Sequence, residues 1–423
     1  MSVPGDKSIT HRALILSALA EGDSVISGYC RGEDCLNTLR ALQAMGIRIQ
    51  ASPEQLRVSG KGLWGLTEPD LPLDCGNSGT SIRLLAGLLA GQDFFALLTG
   101  DESLRRRPMG RVVKPLRGMG ASIAGRKGGE LAPLAITGSR LRGMAYHSPV
   151  ASAQVKSALL LAGLYAQGTT SVSEPSRSRD HTERLFRYLG IPIRQEAETV
   201  SLDGYGAGGW PAKDIQVPGD LSAAAFFIVG ATLVPGSDVT LANVGVNPSR
   251  SGVLEVLREM GADIQVCNQR EEGAEPVADL RVRTAGLRGT TIGAGRIPQT
   301  IDEFPALCVA AALADGETHI TGAGELRVKE SDRIATMATE LRKMGVEVVE
   351  SQEGLTIKGV RRSSHTQLRG ASTLSYGDHR VAMSMAIAAL VADGATQIEG
   401  ADCIETSFPC FESKLLELLT KSA

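Results

Sequence analysis

A chain of 423 residues is longer than one ordinary core accommodates, so two domains are the default expectation. A net charge of −3 excludes nucleic-acid binding through bulk charge and leaves any anion site to a local cluster of cations. Seven scattered cysteines without a CxxC pair argue against a disulfide framework or a zinc site and fit a reducing cytosol; no apolar leader and no run of about 18–20 apolar residues suggests export or a membrane span.

In chain order, the turn Pro4-Gly5-Asp6 delivers Lys7 and Ser8 to the start of an Ala/Leu-rich helix over residues 8–20, with Arg12 one turn on. Residues 35–44 form an amphipathic helix stopped at Met45-Gly46, and Ile47-Arg48-Ile49 reads as a strand. Cys75-Gly76-Asn77-Ser78-Gly79-Thr80 repeats the first device ahead of a helix over 80–90, with Arg83 in its first turn. Arg105-Arg106-Arg107-Pro108 opens a second helix that stops at Met119-Gly120. Three arginines oppose a helix N-terminal dipole, so surface charge is a poor reason for all three. Ser152-Ala153-Gln154 caps an apolar helix over 152–166, the polar run Ser176 to His181 precedes another helix, and Leu189-Gly190 ends it. The segment from Trp210 to Gly219 is the best domain boundary.

The second half continues the series. Helices are expected over 222–231, 304–314 and 378–392, with glycine stops at Met260-Gly261 and Met344-Gly345. Ser8, Thr80, Ser152, Ser222 and Asp378 are the expected N-caps. Asp302-Glu303 stand just before the helix over 304–314; one acid serves as a cap or as a general base. Within Arg327-Val328-Lys329-Glu330-Ser331-Asp332-Arg333, helical spacing puts Lys329 and Arg333 on one face, a repulsive pair that an anion would relieve. Gly377-Asp378-His379-Arg380 places one more arginine near a helix start.

A buried helix, a strand, an exposed helix, a glycine stop and a strand thus recur six times, every 70 to 80 residues or so, three per lobe. The helix starts collect cations where backbone N–H groups already favour an anion. Each cluster alone is equally compatible with ordinary capping. Together they predict an anion-binding cleft between two lobes, residues 6–218 and residues 219–423 with the first few residues added to the second.

The motifs Gly5-Asp6-Lys7-Ser8 with Arg12, Gly76-Asn77-Ser78-Gly79-Thr80, Arg107-Pro108-Met109-Gly110, Ser152-Ala153-Gln154, Asp302-Glu303, Arg327 to Arg333 and Asp378-His379-Arg380 resemble the 5-enolpyruvylshikimate-3-phosphate synthase family, in order from residue 4 to the end. Ser152 to Lys156 and Arg179 to Glu183 are similar to the bacterial branch that includes herbicide-tolerant enzymes. The resemblance implies an α/β fold of two inverse α/β barrels, each a threefold repeat of a βαβαββ-type unit, closing on substrate. It implies transfer of the enolpyruvyl group of phosphoenolpyruvate to the 5-hydroxyl of shikimate 3-phosphate by addition and elimination, without metal or organic cofactor, in a cytoplasmic monomer inhibited by glyphosate. It assigns Lys7 to both substrates, and Ser8, Arg12, Ser152, Ala153, Gln154, Arg179, Asp302 and Lys329 to shikimate 3-phosphate. Asn77, Gly79, Arg107, Gln154, Arg333 and Arg380 fall on phosphoenolpyruvate. Asp302 becomes the base and Glu330 the acid that protonates the methylene carbon.

Four features depart from or divide the pattern. Only Met1-Ser2-Val3 precede the first motif, so a first strand is short or absent. Ile404 to Phe408 lack the lysine many relatives carry, and Glu325 stands where many have asparagine. Gly79 implies sensitivity to glyphosate, whereas Leu84, in place of a common proline, implies tolerance. The alternatives are a UDP-N-acetylglucosamine enolpyruvyl transferase, disfavoured by Ser8 after Lys7 and by a loop 99–109 without cysteine, and an inactive repeat-built binding protein, disfavoured by acids and cations gathered together.

Overall fold

The computed structural model describes residues 1–206, 209–360 and 368–420. The chain forms two compact units. One comprises Gly5–Pro218 and Glu271–Glu275; the other comprises Met1–Pro4, Gly219–Arg270 and Pro276–Ala423. Each has its own apolar core.

The repeat is written in the strand pairing. In the first unit, Glu21–Ser27 pairs in parallel with Ile215–Gln216 and antiparallel with Gln55–Lys61, which pairs antiparallel with Arg48–Ala51. The sheet built on Phe95–Thr99 has the same order, one parallel edge and then two antiparallel pairs. So has the sheet built on Thr169–Ser173. In the second unit the sheet on Glu317–Ile320 repeats it again. The sheet on Asp238–Gly245 receives its parallel edge as single bridges from Ser2 and Gly219, and the last described sheet is the parallel pair Ser372–Leu374 and Gln397–Glu399. The six sheets stay open; among the described residues none closes into a barrel.

The expected boundary segment is therefore structural rather than a loose linker. Ile215–Gln216 returns to the first sheet, and Trp210 is buried. Likewise the short start of the chain is tied down, with the Met1 amino group donating to the Thr240 carbonyl and Ala242 N–H to the Met1 carbonyl.

Helices that are apolar nearly all round fill the cores, as such a pattern requires. They are Lys7–Ala18, Gly79–Ala90 and Ala153–Gly163 in the first unit, and Leu221–Leu233, Phe304–Ala312 and His379–Ala389 in the second. Gly79–Ala90 and Ala153–Gly163 touch so closely that a Cβ on Gly87 would lie 2.1 Å from the Ala158 carbonyl oxygen. The amphipathic helices Glu33–Ala44, Gly110–Gly118, His181–Leu189, Gly252–Glu259 and Arg333–Lys343 end at Gly46, Gly120, Gly190, Gly261 and Gly345. All five glycines have φ between 82° and 103°, the left-handed stop that glycine adopts without Cβ strain.

Three expected caps shift. Asp6, Ser78 and Asp220 accept the capping bonds where Ser8, Thr80 and Ser222 were expected; Ser152 and Asp378 cap as read. Each true cap lies two residues earlier and is itself a good acceptor, so the first helical turn begins sooner.

His11 gives the first unit a pH signature. It is fully buried in Lys7–Ala18, with Nδ1 2.8 Å from the Thr38 hydroxyl. Burial pushes its pKa well below the ordinary value, and Lys7 and Arg12 push the same way. The folded chain keeps His11 neutral while the unfolded chain takes up a proton as pH falls through about 6.5. Its share of stability is thus complete above that pH and lost below it, by about 1.4 kcal/mol per pH unit. Urea midpoints at pH 7, 6 and 5 should fall less steeply for His11→Gln than for the parent chain; equal slopes would refute this source of acid sensitivity.

Candidate active site

In the first unit, the turn before Lys7–Ala18 is held by Asp6, whose carboxylate accepts from Ile9 N–H. That leaves Lys7 at the first helical position, recessed and 2.8 Å from Asp34. Arg12 is buried one turn on; it donates to the hydroxyls of Thr182 and Ser157 and to the Ser8 carbonyl, each at 2.7 Å. Burial lowers its pKa to about 10, Glu183 and Asp6 oppose that shift, and nearby Arg179 adds to it. Arg179 and Arg12 are thus close enough to repel, and an anion would relieve them.

The second repeat supplies another cluster. Gly76 has φ +55° in the turn, and Ser78 caps Gly79–Ala90. Asn77 donates to Asp101 at 2.7 Å and accepts from Arg107. Of the three neighbouring arginines, Arg106 pairs with Glu102 on the surface and Arg105 donates to the Gly100 carbonyl, leaving Arg107 buried and turned to Asn77. Arg105 and Arg106 stand on a short 3-10 turn and Arg107 just after it, so the three arginines do not open the helix as expected; it begins only at Gly110. A Cβ on Gly79 would lie 2.6 Å from Arg83 Nη1 and 3.3 Å from Arg107 Nη1, so glycine leaves room for two guanidiniums over the helix start. Arg83 Nη1 also donates to Gln154 Oε1 at 2.7 Å, and Gln154 Nε2 donates to Thr80 at 2.9 Å. This fixes the Gln154 amide and joins the second repeat to the third. Ser152, Ala153 and Gln154 stand together at the start of Ala153–Gly163, with Ser152 accepting from Val155 N–H.

In the second unit Arg333 is the hub. Its guanidinium is 3.5 Å from Asp302, 2.6 Å from Glu330 and 2.8 Å from Asp378. Burial alone would lower its pKa, but Asp378, Glu330 and Asp302 outweigh that and raise it. Arg380 Nη1 donates to the Asp302 carbonyl at 2.8 Å, and Nη2 lies 3.8 Å from the Asp302 carboxylate. Lys329 is 4.0 Å from Glu325. Burial lowers its pKa, with Asp302, Glu325 and Glu330 opposing.

Two expectations need correction here. Lys329 and Arg333 do not share a helix face: the helix starts at Arg333, capped by Asp332, and Lys329 follows a short 3-10 turn. Nor does either acid of the Asp302-Glu303 pair cap the next helix. Glu303 occupies the cap position without a side-chain capping bond; its fully buried carboxylate accepts from Ser222 and Arg250 instead, while Asp302 turns to the arginines. The segment Ala401–Thr406, where a lysine was missed, places Thr406 3.3 Å from His379. Sequence reasoning gave no role to Asp34 or Asp101, gave Asp378 only that of a helix cap, and left Arg83 out of its candidate set.

Cations beside carboxylates at the polar starts of repeated apolar helices, in both units, define an α/β enzyme for small, multiply charged anions. Comparison with known proteins gives the particular family. A family profile for EPSP synthase (3-phosphoshikimate 1-carboxyvinyltransferase) matches residues 1–415. The 3-phosphoshikimate 1-carboxyvinyltransferase of Geobacter sulfurreducens is 54% identical over 415 residues, 98% of this chain and 95% of the relative. That of a Synechococcus strain is 54% identical over 426 residues, 100% of this chain and 95% of the relative. An EPSP synthase structure from Acinetobacter baumannii superposes with a TM-score of 0.87 at 46% identity, covering 100% of this chain and 94% of that one. The chain belongs to the EPSP synthase family. It transfers the enolpyruvyl group of phosphoenolpyruvate to shikimate 3-phosphate and releases phosphate.

Proposed function

We propose that the residues assembled in the two units act on one substrate pair, with Asp302 as base and Glu330 as acid. The observation that carries this reading is the Arg333 hub, where one buried guanidinium meets Asp302, Glu330 and Asp378. Three carboxylates on one arginine leave local negative charge that the neighbouring Lys329 and Arg380 offset. An incoming phosphoenolpyruvate competes with the acids for these cations, so binding the anion frees Asp302 and Glu330 for proton transfer.

In this reading Asp302 takes the proton of the attacking 5-hydroxyl and Glu330 delivers one to the methylene carbon, giving a tetrahedral ketal. In the elimination the roles switch: Glu330 takes a proton back from the new methyl carbon, and Asp302 gives its proton to the departing phosphate. Lys7 contacts both substrates. Ser8, Arg12, Ser152, Ala153, Arg179 and Lys329 hold shikimate 3-phosphate, and Gln154 lies against both ligands. Asn77, Gly79, Arg107, Arg333 and Arg380 hold phosphoenolpyruvate. Preorganised cations offset the mutual repulsion of two polyanions before they react. The chemistry needs protons moved and charge neutralised, so the proposal includes no metal or organic cofactor. It has the chain act as a cytoplasmic monomer and bind glyphosate at the phosphoenolpyruvate cations. No described helix is long and apolar enough to cross a membrane.

The test is phosphate release from phosphoenolpyruvate with shikimate 3-phosphate as acceptor. Release that requires this acceptor, and is lost in Arg107→Ala and Arg333→Ala, is expected. Release with UDP-N-acetylglucosamine instead, or full activity in both variants, would overturn the reading. Lys329 adds a pH dependence. Its lowered pKa means the ammonium charge is lost at a lower pH than the ordinary lysine value of about 10.4. The KM for shikimate 3-phosphate should therefore climb on the alkaline side before that pH, and Lys329→Arg should remove the climb. A flat profile in the parent enzyme would contradict the role.

A further inference from the structure

Glu174 follows the strand Thr169–Ser173, its side chain 2% exposed, and touches no residue assigned to catalysis. Its carboxylate nonetheless ties together the two segments proposed to hold shikimate 3-phosphate. Oε1 accepts the Ser152 backbone N–H at 2.8 Å, at the cap that presents Ser152, Ala153 and Gln154. Oε2 accepts the Ser178 hydroxyl at 2.8 Å and the Ser178 N–H at 3.4 Å, immediately before Arg179. The same oxygen lies 2.8 Å from Lys156 Nζ, one turn into the helix that Ser152 caps. Lys156 reaches on to Glu183, 2.8 Å away on His181–Leu189, and Glu183 is the largest opposing charge acting on Arg12.

We propose that Glu174 is a positioning residue that sets the spacing between Ser152 and Arg179, and so the enzyme's affinity for shikimate 3-phosphate. This rests on the reading above that those two residues bind that substrate. The reasons are geometric. A cap residue and an arginine on a loop have no covalent or ladder connection to keep them in register. A binding site needs such a connection at sub-ångström precision, supplied here by one buried carboxylate with three kinds of donor. A buried carboxylate is costly unless its lone pairs are occupied, so Lys156, Ser178 and the Ser152 N–H must all stay in place around it. Ordered substrate contacts follow from that requirement. A carboxamide has the same shape but one oxygen, and would turn N–H donors toward either Lys156 and Ser178 or the Ser152 N–H.

Steady-state kinetics well below the melting temperature test this, with Arg179→Ala as the reference variant. Glu174→Gln is expected to raise the KM for shikimate 3-phosphate by about 10-fold or more, with kcat and the KM for phosphoenolpyruvate within about 3-fold, the pattern of lost uniform binding of one substrate. A lower Tm with an unchanged KM for shikimate 3-phosphate would make Glu174 merely structural and overturn the inference. Equal rises in both KM values would overturn it too. If Glu174→Gln does not fold, Ser178→Ala removes one tether; a rise of about 3-fold in the same KM supports the inference, and none overturns it. Arg179→Ala separates the two levels of argument. No effect on that KM from Arg179→Ala means the site assignment fails; an effect there without one from Glu174→Gln means only the positioning role fails.

Discussion

Asp302→Asn should lower kcat about 1,000-fold while leaving the dissociation constants of both substrates within about 3-fold, because a positioned general base is worth about 10² to 10⁴ in rate. The substitution removes one function and keeps the geometry. The Asp302 side chain is 21% exposed, its carboxylate 3.5 Å from Arg333 and 3.8 Å from Arg380. Its backbone carbonyl, which accepts from Arg380 at 2.8 Å, is untouched by the change. Arg333 also keeps Glu330 and Asp378. The amide oxygen of asparagine still faces the guanidiniums, but an amide cannot take the hydroxyl proton. Single-turnover rates with equilibrium binding of each substrate separate the possibilities. Normal turnover at saturation with weakened binding of shikimate 3-phosphate would make Asp302 a ligand contact and send the search for a base elsewhere.

The parts of this fold legible in the sequence are those set by neighbours in the chain. The glycine stops at Gly46, Gly120, Gly190, Gly261 and Gly345 were readable because a helix leaving through positive φ favours glycine. The apolar helices were readable because their burial is written on every face. The caps were misplaced by two residues at Asp6, Ser78 and Asp220, since two good acceptors stood close together and only the backbone decides between them. The shared face of Lys329 and Arg333 failed for a related reason: four-residue spacing pairs side chains only on an unbroken helix, and the Asp332 cap starts a new one. The partners of these polar side chains could not be read. Asp34 lies 27 residues from Lys7, Asp101 lies 24 from Asn77, and Asp378 lies 45 from Arg333. Those pairings depend on how repeats pack, which spacing does not encode. The motif match supplied the candidates; the fold supplied the acids that hold them in place.

Replacing Lys156 with methionine should destabilise the first unit by about 3–5 kcal/mol, the usual result of breaking a buried ion pair from one side. The ammonium is 2% exposed and 2.8 Å from both Glu174 and Glu183, which are themselves 2% and 1% exposed. Burial by itself would lower the Lys156 pKa, but the two glutamates outweigh it and raise it. A raised folded pKa means this contribution is complete below the unfolded lysine value of about 10.4 and is lost only as pH climbs through the folded one. The parent protein should therefore show no loss from this group between pH 7 and 9. In Lys156→Met the two acids are left buried without their cation, and the melting temperature should drop by about 6–20 °C at pH 8, given about 2–4 °C per kcal/mol for domains of about 150–250 residues. The deficit should shrink toward pH 5, because orphaned carboxylates relieve their burial by taking up protons. A deficit of equal size at every pH would mean that lost packing, not lost charge, is responsible. The triple change Lys156→Met, Glu174→Gln, Glu183→Gln removes the charge altogether and should restore much of the melting temperature. If Glu174 positions Ser152 and Arg179 as inferred, the same triple variant should still bind shikimate 3-phosphate poorly, so recovery of stability without recovery of affinity would separate what the buried charges do for the fold from what they do for the substrate.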